Sequence, residues 1–257
     1  MSVARPLVAQ TGLQLININD PNISPRRDPA HVLACLARHT TPVRQMSWQG
    51  RQRPEEYDLL VVAENRADNR PLAALAADVI PIDATICLYI DPIFAPADTA
   101  WALLPKLLAT SLRLAARIGP VPTVITACLD HAVGYRALRN LAAEFASAAP
   151  GVVHYPDPSM VVNFRAAALA RQLAPVICPN HALMLATGAL LGARASHGVT
   201  AIAPTVSAGH TPIDAMFARH VGPVDQLLSL IDLQSLSGQR ILDIAQRIRR
   251  RRTRDIA

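Results

Sequence analysis

The chain has 257 residues, 51% hydrophobic and 17% charged. That excludes disorder by composition and allows one large domain, or a medium domain with an extension. The net charge of +6 is concentrated: Arg247, Arg249, Arg250, Arg251, Arg252 and Arg254, offset by Asp255, supply +5 of it, so the basic character belongs to one terminal segment and the body is near neutral.

In chain order, "LQLININD" (13–20) alternates and predicts a strand. "DPAHVLACLARHT" follows as a helix, with Asp28 as N-cap and Pro29 at the first helical position. "YDLLVVAEN" (57–65) and "PLAALAADVI" (71–80) predict a hairpin around "RADNR", and "ATICLYIDP" (84–92) a third strand. A long helix is predicted from about 99 to 118, stopped by Gly119 and Pro120, with a kink or restart at Pro105. "PTVITACLD" (122–130) is almost wholly apolar and predicts a strand buried on both faces. "HAVGYRALRNLAAEFAS" (131–147) is an amphipathic helix, and "GVVHYPDPSMVVNFRA" (151–166) two short strands around a turn. This order predicts an α/β (α+β) domain over residues 1–167, a mixed central sheet flanked by helices.

Residues 168–257 read as an α-helical C-terminal extension. "AALARQLAP" is helical, as is the small-residue stretch from Asn180. "TPIDAMFARH" starts a helix at Thr211, Pro212 and Asp214, and "PVDQLLSLIDLQSLSGQRILDIAQRIRRRR" predicts two more, divided near Ser237 and Gly238. The last puts Ile241, Ile244, Ala245 and Ile248 on one face, so it docks apolar side down with the arginines outward. Four consecutive arginines suit nucleic-acid phosphates, an acidic protein surface or an anionic lipid; the plain alternative is a solvated terminus.

The cysteines Cys35, Cys87, Cys128 and Cys178 are widely spaced with no C-x-x-C pair, which points to neither a disulfide framework nor a zinc ribbon. "CPNH" offers two metal ligands, Cys178 and His181, without a convincing second pair, so no metal is expected. The N-terminus lacks an apolar signal core, and the apolar stretch 181–208 is broken by Arg194, His197 and glycines. A cytoplasmic protein without a transmembrane segment is expected.

"LYIDPIFAPADTAWALL" (88–104) carries the strongest motif. A strand ending in "YIDPIF", the loop "APADTA" and a helix starting "WALL" resemble, without gaps, the coenzyme A segment of the GNAT acyltransferase superfamily. "HAVGYRALRN" is similar to a later helix of that family that often carries a tyrosine. The resemblance covers roughly residues 13–166 and implies an acyl-CoA site at Leu88, Tyr89, Ile90, Ala95, Asp98 and Ala100. In such a loop, N–H groups at a helix N-terminus face the pyrophosphate and glycines allow close approach. This loop has no glycine. Ala95 stands at the family's Gln/Arg position, Asp98 at its first key glycine, and Ala100 at a Gly/Ala position that still fits. Asp98 sits where an N-cap should sit, ready to accept from the N–H of Ala100 or Trp101 and so occupy the donors a pyrophosphate needs. Pro96 removes a further N–H.

The resemblance also implies Tyr135 as the acid that reprotonates a leaving thiolate; the alternative is a ring packed under the sheet. Glu64 is the candidate base, with an exposed strand-end carboxylate as its alternative. Asp91 reads as a turn-former and His131 as a solvated helix-start residue. The leading expectation is a GNAT-like module with a degenerate coenzyme site that binds, scaffolds or regulates through protein contacts or as a homo-oligomer. The second is an active N-acyltransferase using acyl-CoA or an acyl-carrier-protein donor. The third is a nucleic-acid or membrane-surface accessory protein acting through the arginine tail.

Overall fold

The computed structural model describes residues 13–17, 31–32, 34–36, 57–65, 68, 70–94, 100–129, 132–159, 161–193 and 212–250. Among them the chain is mixed α/β, a nine-stranded, mostly antiparallel sheet with helices packed on both faces. No helix among the described residues is long and apolar enough to cross a membrane.

The strands β1 (Leu13–Asn17), β2 (Leu59–Asn65), β3 (Pro71–Ile82) and β4 (Thr85–Phe94) form an antiparallel meander. Asp83 turns β3 into β4 with a φ of 50°, which aspartate tolerates. Helix α1 (Ala100–Ile118) runs unbroken through Pro105. Strand β5 (Val124–Leu129) then pairs with β4 in parallel. It is buried on both faces: Ile125, Ala127 and Leu129 join one core, Val124 and Cys128 another. Helix α2 (Ala132–Ala148) and strand β6 (Val153–Tyr155) follow.

Beyond β6 the structure departs from the sequence reading. The second strand expected within 151–166 is absent, because Asn163 caps a helix there, α3 (Phe164–Ile177), by accepting from the Ala166 N–H at 3.1 Å. The helix expected from Asn180 is a hairpin of β7 (Leu183–Met184) and β8 (Ala189–Leu190). Gly188 makes it so, with a φ of 73° and so little room that a Cβ would lie 2.9 Å from the Leu228 carbonyl oxygen. Helix α4 (Pro212–His220) is as expected.

The largest correction concerns "QLLSLID", which is strand β9 (Gln226–Asp232) and not a helix. Leu227 and Ile231 pack into one core while Leu228 and Leu230 pack into the other. A short run buried on both faces carries no period that separates strand from helix. Strand β9 pairs antiparallel with β5 on one edge and with both β6 and β8 on the other. Residues 168–257 are therefore not an appended helical extension, since they supply an inner strand of the same sheet. Helix α5 (Gly238–Arg250) packs on α1 with Ile241, Ile244, Ala245 and Ile248 buried, as the amphipathic pattern requires.

Two cores result. Helices α1, α2, α4 and α5 cover one face of the sheet, and α3 covers the other over β4, β5, β8 and β9. Asp232, fully buried at the end of β9, ties α3 to the sheet by accepting from Arg165 Nε at 2.5 Å and from the Gln234 N–H at 2.9 Å. The two partners are unequal, because the Arg165 side chain is 47% exposed and that of Asp232 is 0%. Removing the arginine strands a buried carboxylate, whereas removing the carboxylate frees a cation that water already reaches. Arg165→Ala is expected to cost about 3 kcal/mol and Asp232→Asn about 1–2 kcal/mol, measured as urea unfolding midpoints. Equal costs would contradict the asymmetry.

Candidate functional site

The sequence motif falls on the parallel pair β4–β5. The strands are in register from Cys87 and Val124 to Ile90 and Ala127. Past that point β4 runs on to Phe94 and β5 to Leu129 without pairing. The cause lies in β4. Leu75 pairs with Ile93 but Ala77 with Ile90, so three steps in β4 face two in β3. The extra residue falls at Asp91-Pro92, where proline has no N–H to give to a ladder. The bulge turns the end of β4 just before it leads through residues 95–99 into the N-terminus of α1.

The sequence-derived coenzyme residues fall unevenly around this opening. Leu88 and Ile90 are buried beneath the helices of the larger core, and Tyr89 faces α3. All three pair with β3 on one side and β5 on the other. The first β4 backbone groups left without a β5 partner are those of Asp91–Phe94. Ala95 and Asp98 lie outside the described residues, as do Asp130 and His131. Ala100 is the first residue of α1.

The two proposed catalytic side chains are not brought together. Glu64 is the penultimate residue of β2, only 1% exposed, opposite Gln14 of β1 and Pro71 of β3; it is not the exposed strand-end carboxylate that was the alternative. Three strand spacings separate β2 from β5, roughly 14 Å. Tyr135 is fully buried on α2, and its hydroxyl donates to the Pro156 carbonyl at 2.5 Å. Burial pushes its phenol well above the usual range. A phenol held this way has its proton committed to the Pro156 carbonyl.

Sequence reasoning missed a polar cluster beside Tyr135. His154 of β6 lies 4.8 Å from the Tyr135 ring centre to centre, and its Nε2 is 3.1 Å from Ser229 Oγ on β9. Thr126 of β5 donates to the Ser229 carbonyl at 2.9 Å. A serine beside a histidine resembles a nucleophile and its base, but the environment opposes that chemistry. Ser229 is fully buried, and burial, helped by the Arg139 charge, lowers His154 to about 3. An imidazole that weak does not take a hydroxyl proton near neutral pH. The cluster satisfies buried polar groups between β5, β9 and β6. Only strand register brings its members together, since residues 126, 154 and 229 share no local pattern.

"CPNH" is likewise divided. His181 Nδ1 faces the Leu191 carbonyl at 3.0 Å, whereas Cys178 Sγ faces Cys128 Sγ at 3.6 Å. No protein-family model matches the chain, and no curated protein is significantly similar to it.

His154 generates a pH prediction. Its folded value lies below the unfolded value of about 6.5, so the unfolded chain binds the proton first on acidification. The stabilisation is complete above about pH 6.5 and is lost as the pH falls towards about 3. Between pH 7 and pH 4.5 the expected loss is on the order of 2–3 kcal/mol. Urea unfolding at pH 7 and pH 4.5 should show a clear drop, smaller in His154→Asn. An equal drop in the variant would assign the acid sensitivity to other groups.

Proposed function

We propose that the chain is a GNAT-like protein with a degenerate acyl-CoA site, acting in the cytoplasm as a binding or scaffolding module through protein contacts. The observation that carries this reading is where the β4–β5 pairing ends. A parallel pair opens past Ile90 and Ala127, one loop ahead of α1, in register with the segment that resembles the family's coenzyme site. The buried Tyr135, with its hydroxyl on Pro156, supports a non-catalytic role. Helix α1 begins at Ala100, within a residue of the start that an Asp98 cap requires. An Asp98 carboxylate about 4 Å from a pyrophosphate oxygen would repel it by roughly 4 kcal/mol at an effective dielectric near 20.

The protein contacts have two candidate surfaces. Val161 and Phe164, 70% and 87% exposed, form an apolar step at the start of α3, of the kind soluble surfaces keep for partners. Arg247, Arg249 and Arg250 are exposed in the last turn of α5 and suit an acidic partner or nucleic acid.

Calorimetry with acetyl-CoA and longer acyl-CoAs is expected to show no micromolar binding. Asp98→Gly is expected to strengthen binding about tenfold, less than the full repulsion because solvent screens it. Micromolar affinity in the unsubstituted chain would sink the degenerate-site reading. Acyl transfer from an acyl-carrier protein that vanishes in Tyr135→Phe would replace it with the acyltransferase alternative.

Phe164→Asp is expected to change unfolding stability by less than about 0.5 kcal/mol, since the ring is already in water. The same change should weaken self-association in sedimentation equilibrium at least tenfold. Unaltered association would place the contact elsewhere.

A further inference from the structure

Cys128 and Cys178 lie 50 positions apart in the chain, yet their sulfurs are 3.6 Å apart. Both residues are buried, 7% and 3% exposed. Cys128 is the first β5 residue past the last pairing with β4, so it stands at the throat of the crevice. Cys178 is the C-cap of α3, with φ −129° and ψ 73° and its N–H on the Ala174 carbonyl. It therefore sits where the helix has ended, and its backbone can adjust without breaking a helical turn. Cys87 shares this core but starts the β4–β5 pairing, opposite Val124, four residues from Cys128 along the strand direction. That is about 13 Å at the rise of a strand, so it does not compete. Cys35 belongs to a separate segment and is partly exposed.

We propose that Cys128 and Cys178 form a reversible disulfide, with a hydroperoxide as the oxidant, that fastens the end of β5 to the cap of α3. Bond formation needs the sulfurs to close to about 2.0 Å, a movement that side-chain rotation and the helix-end position of Cys178 can share. The Cys178 thiolate attacks the peroxide, the O–O bond breaks, and the departing hydroxide takes up a proton as water, leaving a sulfenic acid. The Cys128 sulfur then attacks that sulfur. The S–S bond forms, the S–O bond breaks, and a second water leaves carrying the Cys128 proton. Two thiols and one hydroperoxide thus give one disulfide and two waters (water and an alcohol for an alkyl hydroperoxide).

The order of attack follows from the pair's own hydrogen bond. Either sulfur can donate to the other; a bond that holds the proton on Cys128 favours a thiolate at Cys178, and burial raises Cys128. The Asp91 carboxylate opposes ionisation of both thiols, and Tyr89 contributes a hydrogen bond to Cys128. No Lys, Arg or His is among these neighbours. Among the described residues no group of three or more His, Cys, Asp and Glu side chains could hold a metal ion. The inference does not depend on the acyl-CoA reading, because it concerns the two thiols alone.

The test uses the full chain, treated with a small excess of hydrogen peroxide, alkylated and mapped by mass spectrometry. A loss of about 2 Da, a cross-linked peptide joining Cys128 to Cys178, and reversal by dithiothreitol are expected. The oxidised chain should melt about 5–10 °C higher, because the bridge closes a long loop in the unfolded state. A Cys35→Ala, Cys87→Ala double variant should behave the same way, and Cys128→Ala should lose the cross-link. Mass gains of about 16 or 32 Da without a cross-link, bridging through Cys35 or Cys87, or four alkylatable thiols after treatment of the unsubstituted chain would each overturn the proposal. The peptide map of the unsubstituted chain decides the matter even if a variant fails to fold.

Discussion

Strand β9 is the constraint on which the rest of the structure depends. Its seven residues are all buried, and it has three strand neighbours, β5 on one edge and β6 and β8 sharing the other. It is formed by residues 226–232, long after its partner β5 has left the sheet at residue 129. Sheet closure must therefore wait for most of the chain, and its ladder bonds are non-local ones whose loop entropy is met late. Once seated, β9 provides Leu227 and Ile231 to one core and Leu228 and Leu230 to the other. Its last residue, Asp232, anchors Arg165 of α3. Without β9 the second edge of β5 would be bare, β6 would have no partner, and the β7–β8 hairpin would be cut off from the sheet.

The same arrangement determines what the crevice is made of. One wall is the bulged end of β4, turned by Asp91-Pro92; the other is β5, held straight by β9 along its whole length. The opening thus arises from a local fault in one strand beside a rigid neighbour. On the α3 side of the sheet Tyr89, Asp91, Cys128 and Cys178 interact with one another. Much of the polar capacity at this throat is spent within the protein, which agrees better with a binding or regulated element than with a site built for acid–base chemistry.

The first two thirds of the fold was legible where a local signal existed. The hairpin of β2 and β3, the long α1, the wholly apolar β5 and the amphipathic α2 each follow from period, composition or a stop at Gly119. The errors came where tertiary context decides. "QLLSLID" is apolar on both sides in either conformation, and only its neighbours make it a strand. "NHALMLATGALLG" has helical composition, but the left-handed backbone at Gly188, pressed against Leu228, makes it a hairpin. The site was less legible. Motif register found the strand–loop–helix element, yet Tyr135, taken from the family resemblance, and Glu64, chosen by residue type at a strand end, are both buried. The pairs that do meet, Cys128 with Cys178 and His154 with Ser229, are 50 and 75 residues apart and are joined only by register and by the end of α3.

The arginine-rich end of the chain takes on a different character once α5 is seen docked. Its apolar stripe of Ile241, Ile244, Ala245 and Ile248 is used up against the body of the protein. A helix whose apolar face is already buried has none to insert into a bilayer, so a membrane role would have to rest on charge alone. Arg117 closes α1, and Arg247, Arg249 and Arg250 close α5. Each set sits where the helix dipole favours cations. Arg113 is drawn down by burial and then by the charges of Arg249, Arg117 and Arg250, which shows that the two ends form one ridge of like charge. Dipole stabilisation of about 0.3–1 kcal/mol per exposed cation is enough to tolerate repulsion between solvated guanidiniums. The ridge therefore needs no bound anion to be stable, and a polyanion that did bind would be held mainly by charge, with an affinity that falls steeply with salt.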